Sequence, residues 1–213
     1  MRKRKDFERP EGIKSARLVV IAAEGRNSEN IYFEAMKTER CASDVHVEIL
    51  HRDSNDSSPE SVYKQIRGFI AEYNIEDDDQ LWVVVDRDKW KNKMLSSVAQ
   101  HCAQNGNLHF CVSNPCFELW LLLHVEDIAS YDKEQMEALS LNRKVNCQDT
   151  WLKKRMKDLT GHYHESDYDA AALLQHIVTA MERAEKLDVS PKDRWPQSVG
   201  TRVYLLAKSI MNL

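Results

Sequence analysis

The sequence predicts a layered α/β fold built on a parallel sheet, and three observations carry that reading. Residues 18–23 (LVVIAA) and 81–85 (LWVVV) are unbroken apolar runs rich in β-branched side chains, the pattern of strands buried on both faces of a parallel sheet. Strand-like and helix-like stretches alternate along the first 125 residues, as in βαβ units. Both apolar runs end in acidic residues, Glu24-Gly25 and Asp86-Arg87-Asp88. Open parallel α/β sheets bind ligands in the crevice at the carboxyl ends of their strands, so these two endings point to one acidic pocket. Crowded like charges destabilise each other. Such a pocket therefore calls for a cation, and hard carboxylate oxygens suit Mg²⁺ or Mn²⁺.

The elements follow in order. Residues 29–36 carry apolar side chains at helical spacing behind Ser28, the expected N-cap, with Glu29 at the positive end of the helix dipole. Residues 45–50 (VHVEIL) alternate as a strand, and the polar stretch 51–59 reads as a loop. Residues 60–73 form an amphipathic helix carrying Val62, Ile66, Phe69 and Ile70. A turn at 76–79 leads into the strand before Asp86, residues 94–104 read as a helix, and 108–112 as a fourth strand. Ser113-Asn114-Pro115 marks a helix start, and residues 116–124 are apolar nearly all round, as in a buried helix. Beyond about residue 126 strand patterns stop, and residues 134–140, 149–159, 169–186 and 200–211 read as helices. The expected organisation is a basic, flexible N-terminus (1–16), an α/β domain (17–125) and a helical C-terminal unit (126–213).

Composition narrows the classes. The chain has 213 residues, 42% of them hydrophobic, 30% charged, and a formal net charge of −4. No apolar run approaches the roughly 20 residues needed to span a bilayer, and the basic start lacks the apolar core of a secretory signal. Five cysteines without close pairing fit a reducing cytoplasm better than a disulfide framework. The expectation is a cytoplasmic protein without a membrane partner. A net negative charge does not announce a nucleic-acid binder, yet an enzyme acting on phosphodiesters needs only a local grip. Basic runs occur at Arg2 to Lys5, at Lys89, Lys91 and Lys93, and at Lys153, Lys154, Arg155 and Lys157. Such runs are commonly solvated faces. The position of Lys89, Lys91 and Lys93 beside the acidic motif favours phosphate contact for that run.

Asp86 and Asp88 are two apart, so they point to the same side while the chain is extended and can share one metal or two adjacent ions. Glu118 is a third acidic candidate, because a glutamate in an apolar helix is costly unless paired or coordinated. Asn114 lies four residues earlier and shares its helix face if both are helical; the plainer alternative is Asn114 as a cap and Glu118 in a salt bridge. The segment from Gly161 to Asp167, with His162 and His164, reads as a polar loop, and Cys111 and Cys116 as core sulfur. There is no phosphate-cradling Gly-rich loop with lysine and no Gly-x-Ser-x-Gly elbow, so ATP hydrolysis by this chain is unsupported.

Glu24-Gly25 with Ser28-Glu29 and Tyr32-Phe33, then Asp86-Arg87-Asp88, then the block SNPCFELWLLLH at residues 113–124 resemble the RloB family of the Toprim-like superfamily. The resemblance spans roughly residues 17–213 and is most specific in the SNPCFE block; the tail around Thr201, Val203 and Leu206 looks like the family's final helix. It implies a Toprim-like four-stranded parallel sheet flanked by helices, with Glu24 as general acid/base or metal ligand and Asp86 and Asp88 holding Mg²⁺. Ser28 stands where the family usually has threonine. RloB proteins sit among restriction and phage-defence genes, often beside an ATPase partner. The leading expectation is a Mg²⁺-dependent nuclease (Mn²⁺ as the alternative) acting on DNA or RNA, tRNA included. In it Glu24, Asp86 and Asp88 are catalytic and ligate metal, Glu29 and Glu118 complete a second metal site, and Lys89, Lys91, Lys93 and Asn114 hold substrate. The competing reading is a regulatory or interaction subunit of a defence complex, weakly active or inactive alone. A phosphatase-like pocket with Asp86 as nucleophile is disfavoured, because Lys89-Trp90 lacks the usual hydroxyl residue. Homo-oligomerisation is left open.

Overall fold

The computed structural model describes residues 4–7, 16–52 and 56–213. Four strands and their helices alternate as expected: β1 (Arg17–Ala23), α1 (Ser28–Glu39), β2 (Val45–Leu50), α2 (Pro59–Glu72), β3 (Gln80–Asp86), α3 (Asn92–Ala103), β4 (Leu108–Asn114) and α4 (Glu118–Val125). Five further helices follow: α5 (Lys133–Leu141), α6 (Trp151–Thr160), α7 (Ala170–Leu174), α8 (Ile177–Leu187) and α9 (Val203–Met211). A two-residue strand, β5 (Gly200–Thr201), precedes α9.

The sheet order is β2-β1-β3-β4-β5. β1, β2, β3 and β4 pair in parallel, and β5 runs antiparallel to β4, with Ser113 opposite Thr201 and Asn114 opposite Gly200. The expected four-stranded sheet is thus correct for its parallel part but gains a fifth strand at one edge. Residues 200–211, expected as one helix, begin with this strand instead, and the segment 169–186 is split between α7 and α8. A two-residue strand has no periodicity to read; a partner edge, including the buried contact of Ser113 Oγ and Thr201 Oγ1 at 2.8 Å, creates it.

The β-branched runs do what their composition dictates. Leu18, Val20, Ala22, Leu81, Val83 and Val85 point to one face, where α2 and α3 cover them in a core that includes Val62, Ile66, Leu95 and Val98. Val19, Ile21, Ala23, Trp82 and Val84 point to the other, against Tyr32, Phe33 and Met36 of α1 and Leu119 to Leu123 of α4. That second core continues without a break into Leu152 and Met156 of α6, Leu173 of α7, Ile177 and Met181 of α8 and Leu206 of α9. α4 is the apolar helix its sequence predicts, buried from Glu118 to His124 with Val125 exposed at its end, and packed against α6, α7 and α8. The C-terminal helices are thereby held over the sheet face from which α1 and α4 rise.

Most of the expected flexible N-terminus lies outside the described residues, but its residues 4–7 dock. Lys5 bridges to Tyr73, and Phe7 packs on Phe69 and Tyr73 with ring centroids 5.5 and 5.2 Å away. The loop expected at 51–59 lies partly outside the described residues; its last residues cap α2, where Ser58 accepts from Ser61 N–H at 3.2 Å. Among the described residues no helix is long and apolar enough to cross a membrane.

Candidate functional site: an acidic cleft at the carboxyl ends of β1 and β3

In the order β2-β1-β3-β4, the chain leaves β1 toward one side of the sheet and β3 toward the other. The carboxyl ends of β1 and β3 therefore form the topological switch point, where the diverging connections open a crevice. A cleft of about 310 Å³ occupies this place, lined by Glu24, Glu29, Asp86, Asp88 and Glu118. The structure brings together all five acidic residues singled out from the sequence.

Glu24 directly follows β1 and is buried. Its Oε2 accepts from the Asp86 backbone N–H at 3.1 Å and from Trp90 Nε1 at 2.8 Å. Its Oε1 is also buried, has no hydrogen-bond partner among the described residues, and lies 3.9 Å from Lys89 Nζ. Burial raises the Glu24 pKa against the opposing pull of the Trp90 and Asp86 donors and the Lys89 charge.

Glu29 explains why glycine follows Glu24. Its buried carboxylate folds back over the loop, accepting from Gly25 N–H at 3.0 Å and from Ser28 Oγ at 2.7 Å. A Cβ at position 25 would stand 1.8 Å from Glu29 Oε2, so no other residue leaves the carboxylate its place. Ser28 is not the N-cap expected from the sequence. α1 starts at Ser28 itself, Asn27 occupies the cap position without a side-chain cap bond, and the Ser28 hydroxyl serves Glu29 instead. Burial raises the Glu29 pKa, with the Glu118 charge adding to it.

Asp86 ends β3, and its pKa is held well above the usual range by burial first and then by the charges of Glu29, Glu24, Glu118 and Asp88. Asp88 is also raised, chiefly by burial. Its turn is fixed by backbone bonds, with Arg87 N–H donating to Ser113 O at 2.9 Å and Asp88 N–H to Pro115 O at 3.1 Å. Glu118 opens α4, where its Oε1 accepts from Tyr163 Oη at 3.4 Å and lies 3.9 Å from Lys153 Nζ.

Two expectations change. Asn114 is not helical and shares no face with Glu118. β4 pairing carries the backbone on to Asn114, and α4 begins only at Glu118. The Asn114 amide donates to the carbonyls of Pro196, Gln197 and Ser198 at 3.2, 3.2 and 2.8 Å, which fastens the segment before β5. Its donors are spent on the fold rather than offered to a substrate. Of the three lysines after the Asp pair, only Lys89 lines the cleft; Lys91 and Lys93 are exposed at the start of α3. Partial burial works against the Lys89 charge, but Asp88, Glu24 and Asp86 outweigh it and raise its pKa.

Sequence reasoning missed Arg52 after β2, Thr150 and Lys153 at the start of α6, and Glu165 in the loop before α7, all of which line the cleft. Lys153 lies in a basic run that reads as a solvated face, and Glu165 in a stretch that reads as a polar loop. Nothing in their spacing relates them to the acidic motifs. Trp90, which orients Glu24, carries no motif signal either. Cys116 is buried at the cleft wall, its thiol pKa pushed well up by burial and by nearby carboxylates. It acts as core sulfur, as does Cys111.

Among the described residues, no three His, Cys, Asp or Glu side chains are gathered closely enough to form a metal-holding group. Both Glu29 oxygens and Glu24 Oε2 are taken by donors of the chain itself. The donor chemistry nevertheless fits a hard divalent cation: Glu24 Oε1 is buried and unsatisfied, and Asp86 is crowded by like charge. Six carboxylates line the cleft against four cations, Arg26, Arg52, Lys89 and Lys153. Such an excess of negative charge favours cation binding, while the cations at its sides suit an anion.

The fold and cleft define a class, an α/β protein of Toprim-like arrangement with an acidic crevice at its switch point. Within that class, the chain belongs to the RloB-like protein family, whose model matches residues 19–210. No curated protein and no solved structure matches the chain.

Proposed function

We propose that the chain is a divalent-metal-dependent nuclease that hydrolyses phosphodiester bonds of DNA or RNA in this cleft. The observation that carries the reading is the convergence of Glu24, Asp86, Asp88 and Glu118 on one crevice, with Lys89 and Lys153 at its sides. Glu24 Oε1, Asp86 and Asp88 would hold Mg²⁺ or Mn²⁺, with Glu118 near enough to assist, and Glu29 engaged in shaping the loop after β1. The bound ion supplies Lewis-acid polarisation of a phosphate and a more acidic water. The chain's own residues supply the rest. Trp90 Nε1 and the Asp86 N–H fix Glu24 by its Oε2, leaving Oε1 for the cleft. Lys89 and Lys153 hold the anionic substrate against the acidic floor. The reading extends, from the family resemblance, to a cytoplasmic role in anti-phage defence beside an ATPase partner.

The test is incubation of purified protein with mixed DNA and tRNA pools in Mg²⁺ or Mn²⁺, with and without the neighbouring ATPase. Cleavage is expected, and it is lost in chelator and in Asp86→Asn and Asp88→Asn. Cleavage that persists in chelator, or in either variant, overturns the mechanism. Absence of cleavage under all conditions, together with a stable complex with the ATPase, makes the chain a regulatory subunit instead.

A further inference from the structure

The cleft has one wall that the acidic motifs do not supply. Lys153 lies in the first turn of α6 with its Nζ 3.9 Å from Glu118 Oε1, and it forms an ion pair with Glu165, which lines the same cleft. Beside it, Thr150 lines the same cleft, and its Oγ1 is buried and without a hydrogen-bond partner among the described residues. The helix terminus itself is not on offer. The N–H groups of Trp151 and Leu152 already donate to Arg143 O and Asn142 Oδ1, each at 3.0 Å. An anion arriving at this wall would thus meet an ammonium group, with a buried and unsatisfied hydroxyl three residues before it. In the free protein the ammonium's nearest anion is the Glu165 carboxylate, carried by a loop and about half exposed.

We propose that Lys153 and Thr150 form a subsite for a backbone phosphate of the substrate strand, and that Glu165 occupies Lys153 in the free protein as a built-in competitor. This rests on the nuclease reading, and it names what the substrate must displace to enter. A phosphate oxygen takes the position of the Glu165 carboxylate on Lys153 and accepts from Thr150 Oγ1, while Glu165 swings out into solvent. Lys153 keeps its second neighbour, Glu118, so the lysine remains aimed into the cleft once Glu165 has left. Competition of this kind lowers affinity for every strand, so that only one held by further contacts in the cleft stays bound.

The experiment is a double-variant cycle read by fluorescence anisotropy of labelled single-stranded DNA and RNA, with Ca²⁺ replacing Mg²⁺ so that the strand is held rather than cut. Glu165→Gln is expected to tighten binding about twofold to fivefold, the worth of a partly exposed ion pair. Lys153→Met, which retains the aliphatic stem, is expected to weaken it about tenfold or more, as for loss of a hydrogen bond to a charged group. It should also lower the slope of log affinity against log salt by roughly 0.7 to 0.9, one phosphate contact. Lys153→Arg restores both. In the Lys153→Met background, Glu165→Gln should have no effect, because the residue it competes for is gone. An equal gain in both backgrounds would mean that Glu165 only repels the strand at a distance and would overturn the proposal. So would wild-type affinity and slope in a Lys153→Met protein whose melting temperature shows it folded. If the wild type binds neither strand, the nuclease reading fails and this subsite fails with it; binding by the wild type with no response at Lys153 refutes the subsite alone.

Discussion

Gly25→Ala tests how the acidic loop is built. A methyl group at this position would lie 1.8 Å from Glu29 Oε2, 2.3 Å from its Cδ and 2.4 Å from its Oε1, so the carboxylate must leave. It then loses the Gly25 N–H at 3.0 Å and the Ser28 hydroxyl at 2.7 Å. Each hydrogen bond to a charged group is worth about 1.5–3 kcal/mol. The displaced carboxylate borders a cleft in which Asp86 and Glu118 already stand. Water in the cleft restores part of its solvation, which leaves a net cost of about 2–3 kcal/mol, the usual penalty of a poorly satisfied buried polar group. For a chain of this size 1 kcal/mol moves Tm by about 2–4 °C, so Gly25→Ala should melt roughly 4–12 °C below the wild type. The assay is thermal unfolding by circular dichroism at neutral pH in chelator. Glu29→Ala in the same chain removes the group that is struck, so the double variant should recover at least half of the loss. A Gly25→Ala protein with wild-type Tm, or a double variant that melts as low as Gly25→Ala, would refute the steric account.

Asp86→Asn should raise the Tm of the metal-free protein at neutral pH. Because the folded-state pKa of Asp86 is raised, the folded protein binds this proton more readily than the unfolded chain. The destabilisation is therefore full above the folded pKa and disappears as pH falls toward about 4, the unfolded value. The gain of Asp86→Asn over wild type should shrink over the same range; a gain that grows on acidification would reverse the sign argued here. Adding Mg²⁺ should stabilise the wild type but not Asp86→Asn, with about 2.7 kcal/mol expected at a concentration 100 times Kd; identical metal responses would remove Asp86 from the ligand set. For substrate binding, Lys89→Ala should weaken affinity and flatten its salt dependence, because Lys89 alone of its run lines the cleft. The pair Lys91→Ala and Lys93→Ala should change little, and an effect of that pair equal to Lys89→Ala would show the strand running over α3.

Local patterns carry a large part of this protein. The runs at 18–23 and 81–85 point to strands buried on both faces, because β-branched residues without polar interruption favour the extended chain over a helix at that length. β1 and β3 are such strands. Their acidic endings at Glu24, Asp86 and Asp88 could be assigned to one edge of the sheet from the parallel pattern alone, since every parallel strand ends on the same side. The apolar block before His124 likewise specified an enclosed helix, and Glu118 in it stood out as a charge in need of a partner. The family resemblance rested on these same segments.

Tertiary structure decided what depends on segments distant in the chain. Whether Pro115 starts a helix or follows a strand depended on β5, which pairs with Asn114 from more than 80 residues away. The same pairing spends the Asn114 amide on the carbonyls of residues 196–198. Gly25 and Glu29 were visible as letters, but only the fold shows that one is small because the other needs its space. Lys153 and Glu165 reach the cleft because α6 shares a continuous core with α4 and the sheet face. Periodicity reports which side of an element is apolar, and it cannot report which other element will cover that side. The acidic floor of the site was thus set by short-range pattern, whereas the basic wall facing it was set by packing between segments that the sequence does not relate.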